Sequence, residues 1–311
     1  AALNIHPCFY TYLLFVGLAM GISASPAYSD DAQGSRDRGI GVSLSATPVY
    51  QFNADLDGGG NLSVMRAFFT AGTRRKLSES LTVGLSLKYD AEDYDFSGTT
   101  DLLGNKPWDK INRPGAGAIL NYQSINGWKA SLAPKVEFSR DSGASWRDSL
   151  GYGAVFILSR GVHPDLELGL GLGAFSGIEK NTIIPVLKVD WKITEHFRLS
   201  NPARSNPVGP AGLALSYTPD KRWEFALAGA FRRFRFRLDD SGPAPDGVGE
   251  ASMLPVLLRA TRKFGPLFRL DAYAGAAFRG QLKLEDEDGD QLRADNHDAA
   301  PMLGMTLSGR F

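Results

Sequence analysis

From about residue 38 to Phe311, apolar and polar side chains alternate one for one, and helical periodicity is nearly absent. Ile40, Val42, Leu44, Ala46, Tyr50 and Phe52 fall on one face; Gly41, Ser43, Ser45, Thr47, Gln51 and Asn53 fall on the other. Leu81, Val83, Leu85, Leu87 and Tyr89 repeat the design, as do Trp128, Ala130, Leu132, Val136 and Phe138. Near the end Phe268, Leu270, Ala272, Ala274, Ala276 and Phe278 do so again. Each apolar face runs for about nine to eleven residues, the length with which a tilted strand crosses a bilayer. The pattern predicts strands near 39–52, 62–74, 81–91, 114–124, 128–138, 149–161, 166–174, 183–193, 197–201, 211–218, 223–238, 251–262, 267–282 and 301–311. Without the ninth and tenth, which lie among Pro202, Pro207 and Pro210, twelve strands would remain, still an even number.

The predicted connections alternate in length. Those after odd strands are long; those after even strands are short turns such as 125–127 and 218–222. A soluble sandwich has no reason to keep that alternation, whereas an outer-membrane barrel has long loops outside and tight turns in the periplasm. Outward aromatics gather at strand ends: Tyr122, Trp128, Trp191, Phe197, Tyr217, Trp223 and Phe268 near the short turns, and Tyr50, Phe52, Tyr89, Phe138, Tyr152, Phe231 and Phe278 near the long loops. Two such belts are what the two membrane interfaces select. The expected fold is therefore all-β: a transmembrane antiparallel up-and-down barrel of about 14 strands, alternatively 12, in the bacterial outer membrane.

Composition fits this reading. The 311 residues are 43% apolar, with 35 glycines and with Lys+Arg and Asp+Glu both at 34, which gives no reason to expect nucleic acid as a partner. Residues 1–29 carry no Lys, Arg, Asp or Glu and hold an apolar run from Phe9 to about Ile22. Ala27-Tyr28-Ser29 offers small residues where a signal peptidase reads, placing cleavage before Asp30. The expected organisation is a signal peptide over 1–29, a periplasmic lead-in over 30–38 and a barrel over 39–311. A retained anchor is the rival, but the apolar run is short for a spanning helix. The lone Cys8 lies in the segment expected to be removed, so the mature chain would carry no thiol through an oxidising periplasm.

The last strand puts Leu303, Met305, Leu307 and Phe311 on one face and ends on an aromatic. It resembles the C-terminal signature by which barrel-assembly machinery recognises outer-membrane barrels, and departs from it at Gly309. The first hairpin, Ala46-Thr47-Pro48-Val49-Tyr50-Gln51-Phe52 with Asp55-Leu56-Asp57-Gly58-Gly59-Gly60, and the strand spacing up to Phe311 resemble a group of Gram-negative outer-membrane barrels known only as a domain of unknown function. That resemblance implies a fold and a location, and no catalytic residues.

Inward parity makes Lys88, Asp90, Lys129, Lys135, Glu137, Lys188, Asp190, Arg232, Arg269, Asp271 and Arg279 candidate lumen-lining residues, with Lys192, Arg310, Glu167 and Glu224 also on that face. Positive charges slightly exceed negative ones, as in a water-filled pore with an anion preference; cross-strand pairs bracing a closed interior are the alternative. Arg233, Arg235 and Arg237 continue the outward face past the upper interface, where they could grip lipopolysaccharide phosphates or simply snorkel.

The acidic run 285–290 places Asp286, Asp288 and Asp290 at alternate positions like the start of a calcium loop. Gly289 precedes the third aspartate instead of following it and no bidentate glutamate follows, so the run reads as a solvated loop. Gly169, Gly171 and Gly173 lack dinucleotide-fingerprint spacing and read as inward glycines that thin the wall. His163 and His196 fall in short turns; His297, beside Asp295 and Asp298, is the only histidine at the long-loop end.

No cofactor and no catalytic site are expected. The leading expectation is a passive pore for small solutes, in contact with outer-membrane lipid and lipopolysaccharide. The alternative is a closed barrel with a structural, adhesive or lipid-binding role through its loops. A lipid hydrolase or protease is the remote third, since this fold hosts several functions.

Overall fold

The structure, a computed structural model, describes residues 39–102, 104, 106–201 and 212–311. The expected leader over 1–29 and lead-in over 30–38 lie outside the described residues. The described chain forms one closed antiparallel barrel of fourteen strands. They are β1 (Ile40–Asp55), β2 (Asn61–Lys76), β3 (Leu81–Ser97), β4 (Lys110–Gln123), β5 (Trp128–Phe138, with a short extension at Arg140–Asp141), β6 (Leu150–His163) and β7 (Leu166–Gly177). Then follow β8 (Lys180–Lys192), β9 (Phe197–Ser200), β10 (Gly212–Tyr217), β11 (Trp223–Ala230, resuming at Arg232–Arg237), β12 (Val248–Phe264), β13 (Phe268–Glu285) and β14 (Gln291–His297, resuming at Ala300–Arg310). Closure joins β1 to β14, from Ser43 opposite Arg310 to Gln51 opposite Met302. Val42 and Phe311 exchange backbone hydrogen bonds of 2.8 and 2.6 Å at the seam. Among the described residues no helix is long and apolar enough to cross a membrane.

Each wall strand presents its aliphatic face outward, where no protein covers it. Leu85, Leu87, Leu170, Leu172, Ile183, Leu187, Leu227 and Leu258 are all exposed, an arrangement that is stable only against lipid. The ninth and tenth strands are present but short. The short turns are built as expected: in 218–222 the Oδ1 of Asp220 accepts the backbone N–H groups of Arg222 and Trp223 at 2.6 and 2.8 Å. Those two donors hold the Asp220 carboxyl below its usual range.

The long-loop end differs from expectation. Much of the chain expected there as loop is strand: β3 runs on to Ser97, β13 to Glu285, and β14 begins at Gln291. The connections at 56–60 and 178–179 are consequently tight turns, so loop length does not alternate as predicted. The reason lies in the pattern itself. Above the membrane the polarity of the strands inverts: in β3, Tyr94 and Phe96 are buried while Asp93 and Asp95 face out. In β13, Leu282 and Leu284 are buried on one face while Lys283 and Glu285 pair with charged neighbours on the other. Water has replaced lipid outside, and an apolar core has replaced the polar interior.

That upper region is a second, narrower ring. β11 breaks at Phe231 and its upper half leaves β10, whose pairing with β11 ends at Gly212 opposite Ala230. It leans across the barrel until Arg237 bridges Arg140 of the β5 extension, and the Arg237 N–H donates to the Ser139 carbonyl at 3.0 Å. The β5 extension pairs with β4, and β4 with β3, β2 and β1 in turn. From the other side, β11 pairs with β12, β12 with β13, and β13 with the upper part of β14, which reaches β1 through the bridge between Leu56 and His297. β6 to β10 take no part in this ring. A bulge between Ser252 and Leu254 of β12, opposite Arg279 of β13, adds bend beside the break, and Arg279 takes a positive φ of 50°.

Candidate functional site in the lumen

The interior is layered along the barrel axis. The upper ring is filled by a dry cluster that includes Leu62, Tyr94, Phe96, Trp108, Ile111, Phe236, Leu282 and Leu284. Leu102 and Trp108 enter it from the loop after β3, and Leu238 and Ala244 from the loop after β11. Trp108 makes edge contacts with Tyr94, Phe96 and Phe236 at centroid distances of 5.9, 5.6 and 5.2 Å. The barrel axis is thereby closed at its outer mouth.

Below the cluster lies an ion network centred on Glu92, whose side chain is 0% exposed. Arg66 donates from Nε at 3.0 Å and Arg113 from Nη2, while Arg232 reaches across from β11 to 3.9 Å. Arg66 also donates to the Gln51 Oε1 at 2.9 Å, and the Tyr94 hydroxyl to Glu92 at 3.0 Å. Phe234 of β11 stacks on the Arg113 guanidinium at 4.1 Å, which ties the crossing strand to the far wall. Lys88 continues the network with Asp90 at 3.6 Å and with Glu137, which also accepts from Lys135 at 3.1 Å.

Nearer the short turns, pairs lie flat along the wall. Lys129 and Lys188 share Glu167, Arg198 grips Asp190 through two hydrogen bonds of 2.6 and 2.5 Å, and Arg269 pairs with Asp271 at 2.8 Å. Arg259 bridges from Glu224 towards Asp271. Between these charged layers the interior is more apolar than the predicted polar lumen: Val49, Phe68, Ala228, Met253, Leu257, Tyr273 and Met302 form one buried patch.

The structure thus sets Lys88, Asp90, Lys129, Lys135, Glu137, Lys188, Asp190, Arg232, Arg269 and Asp271 in paired networks on inward strand faces. Arg279 is a correction: at the bulge it leaves the inward alternation and is exposed. Gln51, Arg66, Glu92, Arg113, Arg198 and Arg259 belong to the interior and were not among the predicted set.

Arg233, Arg235 and Arg237 do face outward from the upper ring, each beside a carboxylate, and Arg233 stays 42% exposed. Arg233 pairs with Glu250 at 2.5 Å, Arg235 with Glu250 and Glu285, and Arg237 with Glu179. The Arg235 and Arg237 side chains are only 12% and 6% exposed, so they are not offered to a headgroup.

His297 is buried against Gly280 and its Nδ1 bonds to the Asp298 carbonyl at 2.7 Å. Asp286 closes its own turn, accepting the N–H groups of Asp288 and Asp290 at 3.2 and 2.8 Å. Among the described residues no group of three His, Cys, Asp or Glu is placed to hold a metal. At the C-terminus Leu303, Met305 and Phe311 are exposed on the lipid face, with Leu307 partly covered. Gly309 has a local cause: a Cβ there would sit 3.1 Å from the Phe311 ring and 3.4 Å from Phe268.

A closed barrel with an outward aliphatic face, aromatic strand ends and a charged interior defines a membrane β-barrel of the outer-membrane class. The chain belongs to the family described as "Domain of unknown function (DUF6268)", whose sequence profile matches residues 128–303. Its fold is similar to that of the COG4313 outer membrane channel from Pseudomonas putida F1, at 12% identity and a TM-score of 0.46, covering 91% of this chain and 100% of that one. The toluene transporter TodX of Pseudomonas putida is similar at 11% identity and a TM-score of 0.42, covering 93% and 95%. The translocator domain of autotransporter NalP from Neisseria meningitidis follows at 13% and 0.35, covering 89% of each chain. No curated protein matches the chain in sequence.

Proposed function

We propose that this barrel is an outer-membrane pore for small solutes whose lumen prefers anions. The observation that carries the reading is that inward-facing charged side chains stay accessible to water. Lys135 is 40% exposed, Lys129 35% and Arg198 31%, although all three point into the barrel. Side chains filling a solid core would not be; these line water-sized space that the charged layers keep polar. Around Glu92, five cations (Arg66, Arg113, Arg232, Lys88 and Lys135) face three carboxylates (Asp90, Glu92 and Glu137), which leaves the middle layer positive. No chemical step is part of the proposal.

The second reading, a closed barrel acting through its surface, is supported by the apolar filling of the upper ring. Single-channel recording of the refolded full chain in a planar bilayer separates the two. Stepwise conductance with a reversal potential on the anion side supports the pore. A folded, silent barrel favours the closed reading.

A further inference from the structure

Resting on the pore reading, we propose that solute bypasses the axis. It passes between the outward face of β11 and the tip of the β7–β8 hairpin, where Arg235 and Arg237 form a polar latch. Three observations converge on this route. First, the upper ring is packed with apolar side chains along the axis, and such a core opens only by unfolding. Second, among the described residues β6 to β10 stand outside that ring and share no strand pairing with the upper half of β11.

Third, the hydrogen bonds and ion pairs that seal this passage are local, and they surround the buried Ile178 side chain. Arg235 donates from Nε to the Ile178 carbonyl at 3.0 Å, Arg237 donates to Glu179, and Arg237 Nε donates to the Asp148 carbonyl at 3.1 Å. Ile178 and Glu179 are the whole turn of the hairpin, and Glu179 holds a positive φ of 51°, an unfavourable conformation for a branched-chain-free but bulky residue. Immediately beside the seal is an open groove of about 410 Å³ lined by Asp148, Ser176, Ile178, Glu179, Asn181 and Arg237. A two-residue turn held by two guanidinium groups can lift without disturbing the wall, which an apolar plug cannot. The ridge that looks like a lipopolysaccharide grip is, on this reading, the latch of the exit.

The test uses the refolded full chain in planar bilayers, with Cys8→Ser as background. Glu179→Ala removes the carboxylate that pairs with the buried Arg237 guanidinium and should raise the open fraction at least about twofold, the least expected when a charged hydrogen-bond partner is lost. Asn181→Cys puts a thiol in the groove, and Ser97→Cys puts one on top of the upper ring as comparator; both positions are exposed. A bulky cationic thiol reagent should cut the conductance of Asn181→Cys by about threefold or more and leave Ser97→Cys unchanged. Conductance blocked from Ser97→Cys but not from Asn181→Cys, or an open fraction insensitive to Glu179, overturns the bypass while leaving the pore intact. Silence of every folded variant overturns the pore reading and the bypass with it.

Discussion

Trp108 and Phe236 meet edge to face across the outer mouth, their ring centroids 5.2 Å apart and their planes at 76°. One comes from the loop after β3 and the other from the upper half of β11, so this contact joins opposite sides of the barrel. It makes a membrane barrel end in something like the core of a soluble domain, and cavity energetics should apply there. Phe236→Ala should destabilise the upper ring by about 3–5 kcal/mol, the usual cost of removing a buried phenylalanine. Limited proteolysis reads this directly, because the loops at 98–109 and 238–247 should become cleavable while the membrane-embedded strands stay protected. Unchanged cleavage would mean that the ring is held by its strand pairing alone.

Glu92 compensates three guanidinium groups at once. Glu92→Gln keeps the shape but leaves Arg66, Arg113 and Arg232 facing one another in a buried site. Breaking a buried pair on one side costs about 3–5 kcal/mol. Urea unfolding of the variant in micelles should show a loss of that order. The double variant Glu92→Gln with Arg66→Gln should recover part of it, since one uncompensated charge is gone. If the double variant is simply worse by the sum, the network is not the unit described here.

Most of the wall was legible in the sequence because lipid outside and polar groups inside impose period two on every crossing. That contrast places the fourteen strands and the aromatic belts. It stops where the lipid stops: β3 was expected to end at 91 and β4 to begin at 114, which left Glu92 and Arg113, the centre of the interior network, just outside the predicted strands. Arg66 was hidden by the adjacent Phe68 and Phe69, which blur the parity of β2. The inverted pattern above, with Tyr94 and Phe96 against Asp93 and Asp95, was itself a signal that the strands continue into a water-bathed ring. The partners of Arg235 and Arg237 were not legible, because Glu179 and Glu285 become neighbours of β11 only through its break at Phe231.

Leu170 and Val162 test the membrane frame by depth. Both are outward, at 71% and 60% exposure, but Leu170 lies mid-strand and Val162 beside the short turn at 164–165. Arginine at the bilayer midplane of such barrels costs about 2–4 kcal/mol and near an interface about 0–1. Leu170→Arg should therefore lower stability in lipid vesicles well beyond Val162→Arg. Equal effects at the two positions would argue that the wall is not immersed as proposed.

Lys135 offers the sharpest reading of ion preference. It is the most exposed of the charged side chains in the middle layer, it shares Glu137 with Lys88, and it lies 5.1 Å from the Phe175 ring centroid on the β6 to β8 side of the interior. An ion travelling along that side must pass it. Lys135→Glu changes the local charge by two units where water already reaches, with little cost in packing because the side chain is only partly covered. Under a salt gradient the reversal potential of the wild type should lie on the anion side, and that of Lys135→Glu should move towards cations. The shift should shrink as ionic strength rises, since a charge in a wet lumen is screened over about 10 Å at 0.1 M salt. A reversal potential that stays put would show that selectivity is set elsewhere, at the Arg269 and Arg198 level near the periplasmic end.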